Sequence, residues 1–169
     1  MIDVWAPRGT GYEQHMTNAN DITQSLDVDV PVSTAYNQWT QFETFPQFMN
    51  GVQEIRQIDD KHTHWKISIA GVTREFDAEI TEQIPDERVA WRSTGGTEHA
   101  GVVTFHKLDA AKTRVTLQLD TEPEGVVEKA ADKLGFTKRQ AAGDLERFKK
   151  FIESQGAATG AWRGEVANN

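Results

Sequence analysis

From Asp21 to Thr121 apolar and polar residues mostly alternate, and beyond Pro123 the apolar spacing changes to steps of three and four. Alternation places successive side chains on opposite faces of a strand, whereas the longer steps line one face of a helix. Ile22, Leu26, Val28 and Val30 set the first run, which Pro31 ends because proline cannot donate to a ladder. Ser33 is placed to cap a short helix carrying Ala35, Tyr36, Trp39 and Phe42, and Thr44 a second turn with Pro46, Phe45, Phe48 and Met49. Two short helices so rich in aromatics predict packing across one end of a sheet.

The meander that follows reads as further strands, separated by turns at Asp59-Asp60, Ala70-Gly71, Pro85-Asp86 and Gly95-Gly96. Trp65, Ile67 and Ile69 share one face, as do Val72, Arg74, Phe76, Ala78 and Ile80 on the next strand. Val89, Trp91 and Ser93 are followed by Gly101, Val103 and Phe105, then by Val115, Leu117 and Leu119. The opposite positions are largely polar, which predicts an antiparallel sheet covered on one side only. The closing helix, from about Pro123 to Gln155, aligns Val127, Ala131, Leu134, Ala141, Leu145, Phe148 and Ile152, with Lys138 breaking the stripe. A helix that long needs a broad surface to lie on, and the meander supplies it. The order of elements is that of an α+β domain over residues 21–156, with a mobile arm at 1–20 and a tail leaving the domain at 157–169. Trp162, beside Arg163, is the one sign that the tail folds back.

Chain length and composition narrow the function classes. A chain of 169 residues fits one domain with a real core. Its net charge of −8 disfavours nucleic acid and anionic membranes as partners. No apolar run is long enough to span a membrane, and Asp3, Pro7 and Arg8 stand where an export signal would carry its apolar core. With no cysteine, disulfides, thiolate metal sites and cysteine nucleophiles are excluded, which is compatible with a cytoplasmic protein. Serine-hydrolase elbows, phosphate-binding glycine loops and metal-binding helix motifs are missing, so neither a metal nor a cofactor is expected. His62 and His64 make at most half a metal site, with nothing nearby to complete it.

Three stretches carry a resemblance: Val30-Pro31-Val32-Ser33-Thr34-Ala35-Tyr36 with Trp39 and Phe42, then Phe45-Pro46-Gln47-Phe48-Met49, then Pro85 to Ser93. Together with the element order over about residues 20–156, the chain resembles the polyketide cyclase/dehydrase branch of the START-like, helix-grip (SRPBCC) superfamily, to which coenzyme Q-binding proteins belong. The resemblance implies a helix-grip fold, in which a seven-stranded antiparallel sheet wraps round the final helix and leaves a largely apolar cavity between them. It implies no transferable set of catalytic residues. Members include aromatase/cyclases and quinone and lipid binders, and a fold alone does not fix function.

Strand parity then nominates the ligand-binding positions. Trp65, Phe76, Trp91 and Phe105 supply flat apolar walls, and Arg74, Ser93 and His99 are polar residues on the same faces. Arg74 either reaches solvent or a structural carboxylate, or polarises a ligand oxygen; an unpaired buried guanidinium is too costly to be idle. His99 is either exposed beside the Gly95-Gly96 turn or turned into the cavity, and Ser93 equally suits a neighbouring backbone group. The first expectation is binding of a hydrophobic small molecule, such as a polyketide, quinone or lipid-like compound. The alternatives are a cyclase/dehydratase using the same cavity, with its catalytic residues and oligomeric state open, and a protein-interaction domain.

Overall fold

The computed structural model describes residues 21–69, 71–96, 99–121 and 130–166. Seven strands form one antiparallel sheet in the order β1-β7-β6-β5-β4-β3-β2. They are β1 (Asp21–Val28), β2 (Val52–Gln57), β3 (His62–Ile69), β4 (Val72–Ile84), β5 (Arg88–Gly96), β6 (His99–Asp109) and β7 (Lys112–Thr121). Each strand pairs with its sequence neighbour except β1, which joins β7 in a register running from Asp21↔Asp120 to Val28↔Thr113. Between β1 and β2 lie a helix α1 (Val32–Trp39) and a 3-10 helix (Phe42–Gln47), and helix α2 (Ala130–Gln155) closes the domain. This is the helix-grip, START-like architecture.

The expected helix face is observed wherever side chains are described. Ala141, Leu145, Phe148 and Ile152 are all at most 1% exposed, and their spacing keeps them on one stripe against the sheet. The nominated positions Val127, Ala131, Leu134 and Lys138 lie outside the described side chains. Gly156 ends the helix with a positive φ of 73° and donates its N–H to the Ile152 carbonyl, the left-handed cap for which glycine is suited. At the α2–β1 seam Glu153 accepts the Asp29 N–H, and Lys149 bridges Glu153 and the Asp27 carbonyl.

Local expectations differ in four places, the first being Thr44, which lies inside the 3-10 helix whose cap residue is Gln41. Helix α1 starts at Val32 with Pro31 as its cap residue, so Ser33 lies inside the first turn and caps nothing. Proline already fixes the extended backbone that a cap position needs, which moves the boundary forward. Gly95 and Gly96 continue β5, paired with Asp77 and Phe76, rather than forming a turn. The outer face of the middle strands is also less open than alternation implies, since Ala90, Val102, Thr104 and Gln118 are buried. In the register Ala90 opposes Val102, Val102 opposes Gln118 and Thr104 opposes Arg88, so short side chains lie beside longer ones.

The chain after α2 runs back over the domain. Thr159 donates its backbone N–H to Gln38 Oε1 at 2.9 Å, and Trp162 its own to Thr40 Oγ1 at 3.1 Å. The Arg163 guanidinium lies 5.5 Å from the Tyr36 ring centre and 3.0 Å from Asp86. Val166 is buried and exchanges two backbone hydrogen bonds with Gln83. The tail read as leaving the domain is therefore strapped across α1 and β4. Residues 1–20 lie outside the described residues.

Candidate functional site

Aromatic rings from four strands meet on the inner face of the sheet. Trp65 on β3 stacks on Phe76 of β4 with ring centres 5.5 Å apart, and on Trp91 of β5 at 5.6 Å. The His99 ring of β6 stands 5.1 Å from Phe76, 5.6 Å from Trp65 and 6.3 Å from Trp91. Register explains the grouping: Phe76 pairs with Trp65 in one ladder, and Trp91 with Gly101 in another. Gly101 is what lets the Trp91 ring lie flat on β6, because a Cβ there would fall 2.4 Å from the indole. Phe42 and Phe45 of the 3-10 helix back the group with edge-on contacts to Trp91 and Trp65.

The polar atoms inside this group divide into satisfied and unsatisfied. Trp65 donates its indole N–H to Thr63 Oγ1 at 2.8 Å, and Ser93 Oγ accepts the His99 backbone N–H at 3.0 Å. By contrast the Trp91 indole N–H and both ring nitrogens of His99 are shielded from solvent, with no hydrogen-bond partner among the described residues. The His99 residue as a whole is only half-buried, but its ring nitrogens are fully enclosed. Burial without a partner holds the imidazole neutral and pushes its pKa down to about 4. Buried polar groups normally find partners; Tyr36 Oη and Trp39 Nε1 also lack one among the described residues, elsewhere in the core, but around His99 three such atoms fall within one ring cluster.

The remaining nominated residues fall elsewhere. Phe105 is buried and packs edge-on against Tyr36, at 5.6 Å between ring centres. Ser93 serves the backbone of His99. Arg74 has the inward parity, opposite Ile67, but it is exposed, as are Val72, Thr73 and Glu75. Of the readings open for Arg74, the one in which it reaches solvent is observed, because β4 begins four residues before the core reaches it. On the outer face His62 is engaged by Asp59, and His64 by Asp77 and Glu75.

A hollow that the sequence did not signal lies beside α2. It has a volume of about 370 Å³ and is lined by Asn50, Ser68, Arg139, Gln140, Gly143 and Arg147. Only the spacing of Arg139, Gly143 and Arg147, four residues apart on a helix, could have hinted at it.

Comparison with known proteins places this geometry. Residues 28–150 match the family described as polyketide cyclase/dehydrase and lipid transport. The chain belongs to that family. An uncharacterised 17.2 kDa protein of Streptomyces lincolnensis is 66% identical over 146 residues, covering 86% of this chain and 97% of that one. The aromatase/cyclase Zhui of Streptomyces sp. R1128 superposes with a TM-score of 0.68 at 14% identity, covering 84% of this chain and 98% of that one. A START superfamily protein of Mycobacterium smegmatis gives 0.63 at 18% identity, over 80% and 98%. At such identities these two structures support the fold alone. Among the described residues no helix is long and apolar enough to cross a membrane.

Proposed function

We propose that this protein binds a hydrophobic, oxygen-bearing ring compound, of the polyketide or quinone kind, between the inner face of the sheet and α2. The observation that carries the reading is the set of unpartnered polar atoms, Trp91 Nε1 and both nitrogens of His99, held among Trp65, Phe76 and Trp91. A flat ring gains apolar contact there, and its oxygens supply what the core lacks. The indole N–H donates to a carbonyl or phenol oxygen, while neutral imidazole accepts from a hydroxyl on one nitrogen and donates from the other. Arg74, exposed on the same parity, is available to a carboxylate or phenolate at the solvent end of the ligand.

Binding is favoured over turnover. A histidine whose pKa lies near 4 holds a proton poorly at neutral pH, and among the described residues no carboxylate reaches either ring nitrogen to form an acid/base pair. The test is titration with 1-naphthol and naphthalene, following tryptophan fluorescence. The expected result is saturable quenching by 1-naphthol, weakened about tenfold in His99→Phe, the scale of one hydrogen bond at about 1.4 kcal/mol. Naphthalene, with no oxygen, should bind both proteins alike. Absence of saturable quenching by either compound would defeat the reading.

A further inference from the structure

We infer that the hollow beside α2 is a separate binding site for a small organic oxyanion, a carboxylate or phosphate monoester, held between Arg139 and Arg147. None of its lining residues belongs to the aromatic cluster around His99. Arg139, Gly143 and Arg147 stand four residues apart, so the two guanidinium groups face one opening with a glycine between them. At Gly143 a Cβ would sit 3.2 Å from a terminal nitrogen of Arg147, so a side chain there would crowd the gap.

Arg147 is pre-oriented. Its Nε donates to the Phe48 carbonyl at 3.0 Å and one terminal nitrogen to Asp144, while Asp144 also accepts the Asn50 N–H at 3.1 Å. Arg139 is exposed and has no carboxylate partner among the described residues. Among the described residues no lining residue is acidic, in a chain whose net charge is −8. Asp144 offsets the charge of Arg147 and fixes its geometry, while the charge of Arg139 is left for an anion at the same opening.

Gln140 adds an observation of a different kind. Its Oε1 is shielded from water and has no hydrogen-bond partner among the described residues. The amide is seated against Gly51, where a Cβ would come 2.3 Å from Nε2. An unpartnered amide in the lining of a hollow suits a ligand bearing both a hydroxyl and an oxyanion, and turning the amide over presents its NH2 to the anion instead. At about 370 Å³ the hollow falls within the usual range for small-molecule sites and exceeds the needs of a bare inorganic ion.

The test is a two-dimensional NMR titration of the full chain with benzoate, phenyl phosphate and the uncharged control benzyl alcohol. Saturable shifts of the Gly51 and Gly143 amides are expected with at least one oxyanion, falling as salt is raised, and the tighter probe identifies the anion chemistry. Arg139→Gln, a change at an exposed position that should leave folding intact, is expected to weaken that probe at least tenfold. Gln140→Leu should weaken it too, without lowering the melting temperature. The proposal is overturned if neither oxyanion saturates, if Arg139→Gln binds as tightly as the parent, or if benzyl alcohol binds as well as the anions.

Discussion

Two histidines on opposite faces of one sheet have opposite surroundings. His64, on the outer face of β3, is held by Asp77 at 2.6 Å and Glu75 at 2.9 Å, and those hydrogen bonds raise its pKa. His99, on the inner face of β6, stands among Trp65, Phe76 and Trp91 with no partner for its ring nitrogens among the described residues, and burial lowers its pKa to about 4. The outer face satisfies its polar groups by itself and gains little from doing so, since exposed ion pairs are worth at most about 1 kcal/mol. The inner face leaves polar groups unsatisfied at a cost of about 1–3 kcal/mol each. Groups left unsatisfied within an aromatic cluster are what the proposed ligand would complete.

The contrast breaks most visibly at neighbouring residues of β4. Phe76 is buried against Trp65 and His99, whereas Asp77 points the other way. Phe76→Ala should cost about 3–5 kcal/mol in chemical denaturation, and Asp77→Ala no more than about 1 kcal/mol. Similar losses from both would mean that the two faces are not energetically distinct.

The next effect is seen in the pH dependence of unfolding. His99 titrates at about 4 when folded and near 6.5 when unfolded, so between those values the unfolded chain binds more protons. The penalty for keeping it unprotonated is absent above about pH 6.5 and grows as pH falls through 4, to a loss of about 3 kcal/mol. His99→Phe should flatten that limb. It should also make the free protein at least as stable as the parent at pH 7, because unpartnered nitrogens leave the core. An unchanged acid limb in this variant would show that His99 is solvated or paired in solution.

The smallest effect has the opposite sign. The His64 pKa is raised by its carboxylates, so its contribution is full below about pH 6.5 and lost as pH rises through the higher folded value. The ring is partly solvated and its partners are exposed, so His64→Gln should cost less than about 1 kcal/mol at pH 6, and less again at pH 9. A larger cost at pH 9 would reverse the assigned sign.

How far the sequence reached follows from what alternation encodes. Parity placed Trp65, Phe76, Trp91 and Phe105 on the inner face because a strand has only two. It could not say where the core stops, so Arg74 had the right face and the wrong environment. Gly95 and Gly96 have the composition of a turn, yet both remain paired in β5, and the environment of His99 depended on that difference. The unpartnered state of His99 and Trp91 lies in no local pattern, since it depends on four strands brought into register. The hollow at Arg139 and Arg147 was illegible for a related reason. Its lining joins Asn50 and Ser68 to a stretch of α2 distant in the chain, with Gly143 leaving room beside Arg147. The return of the tail had only Trp162 as a signal, while its firmest attachment is the backbone pairing of Val166 with Gln83.

That closure has a consequence for synthesis. The first strand has a single sheet partner, β7, about a hundred residues downstream, and α1 meets the tail through Gln38–Thr159 and Thr40–Trp162, 121 and 122 residues apart. On a ribosome β1 and α1 emerge early while the segments that cover them are still unmade. Until then Ile22, Val28, Tyr36 and Trp39, all at most 1% exposed in the finished fold, lack their late-made partners. Such contacts, distant in sequence, form slowly because the long loop must close first. The nascent chain is therefore most prone to aggregate in the interval before β7 arrives, with β1 as its open edge.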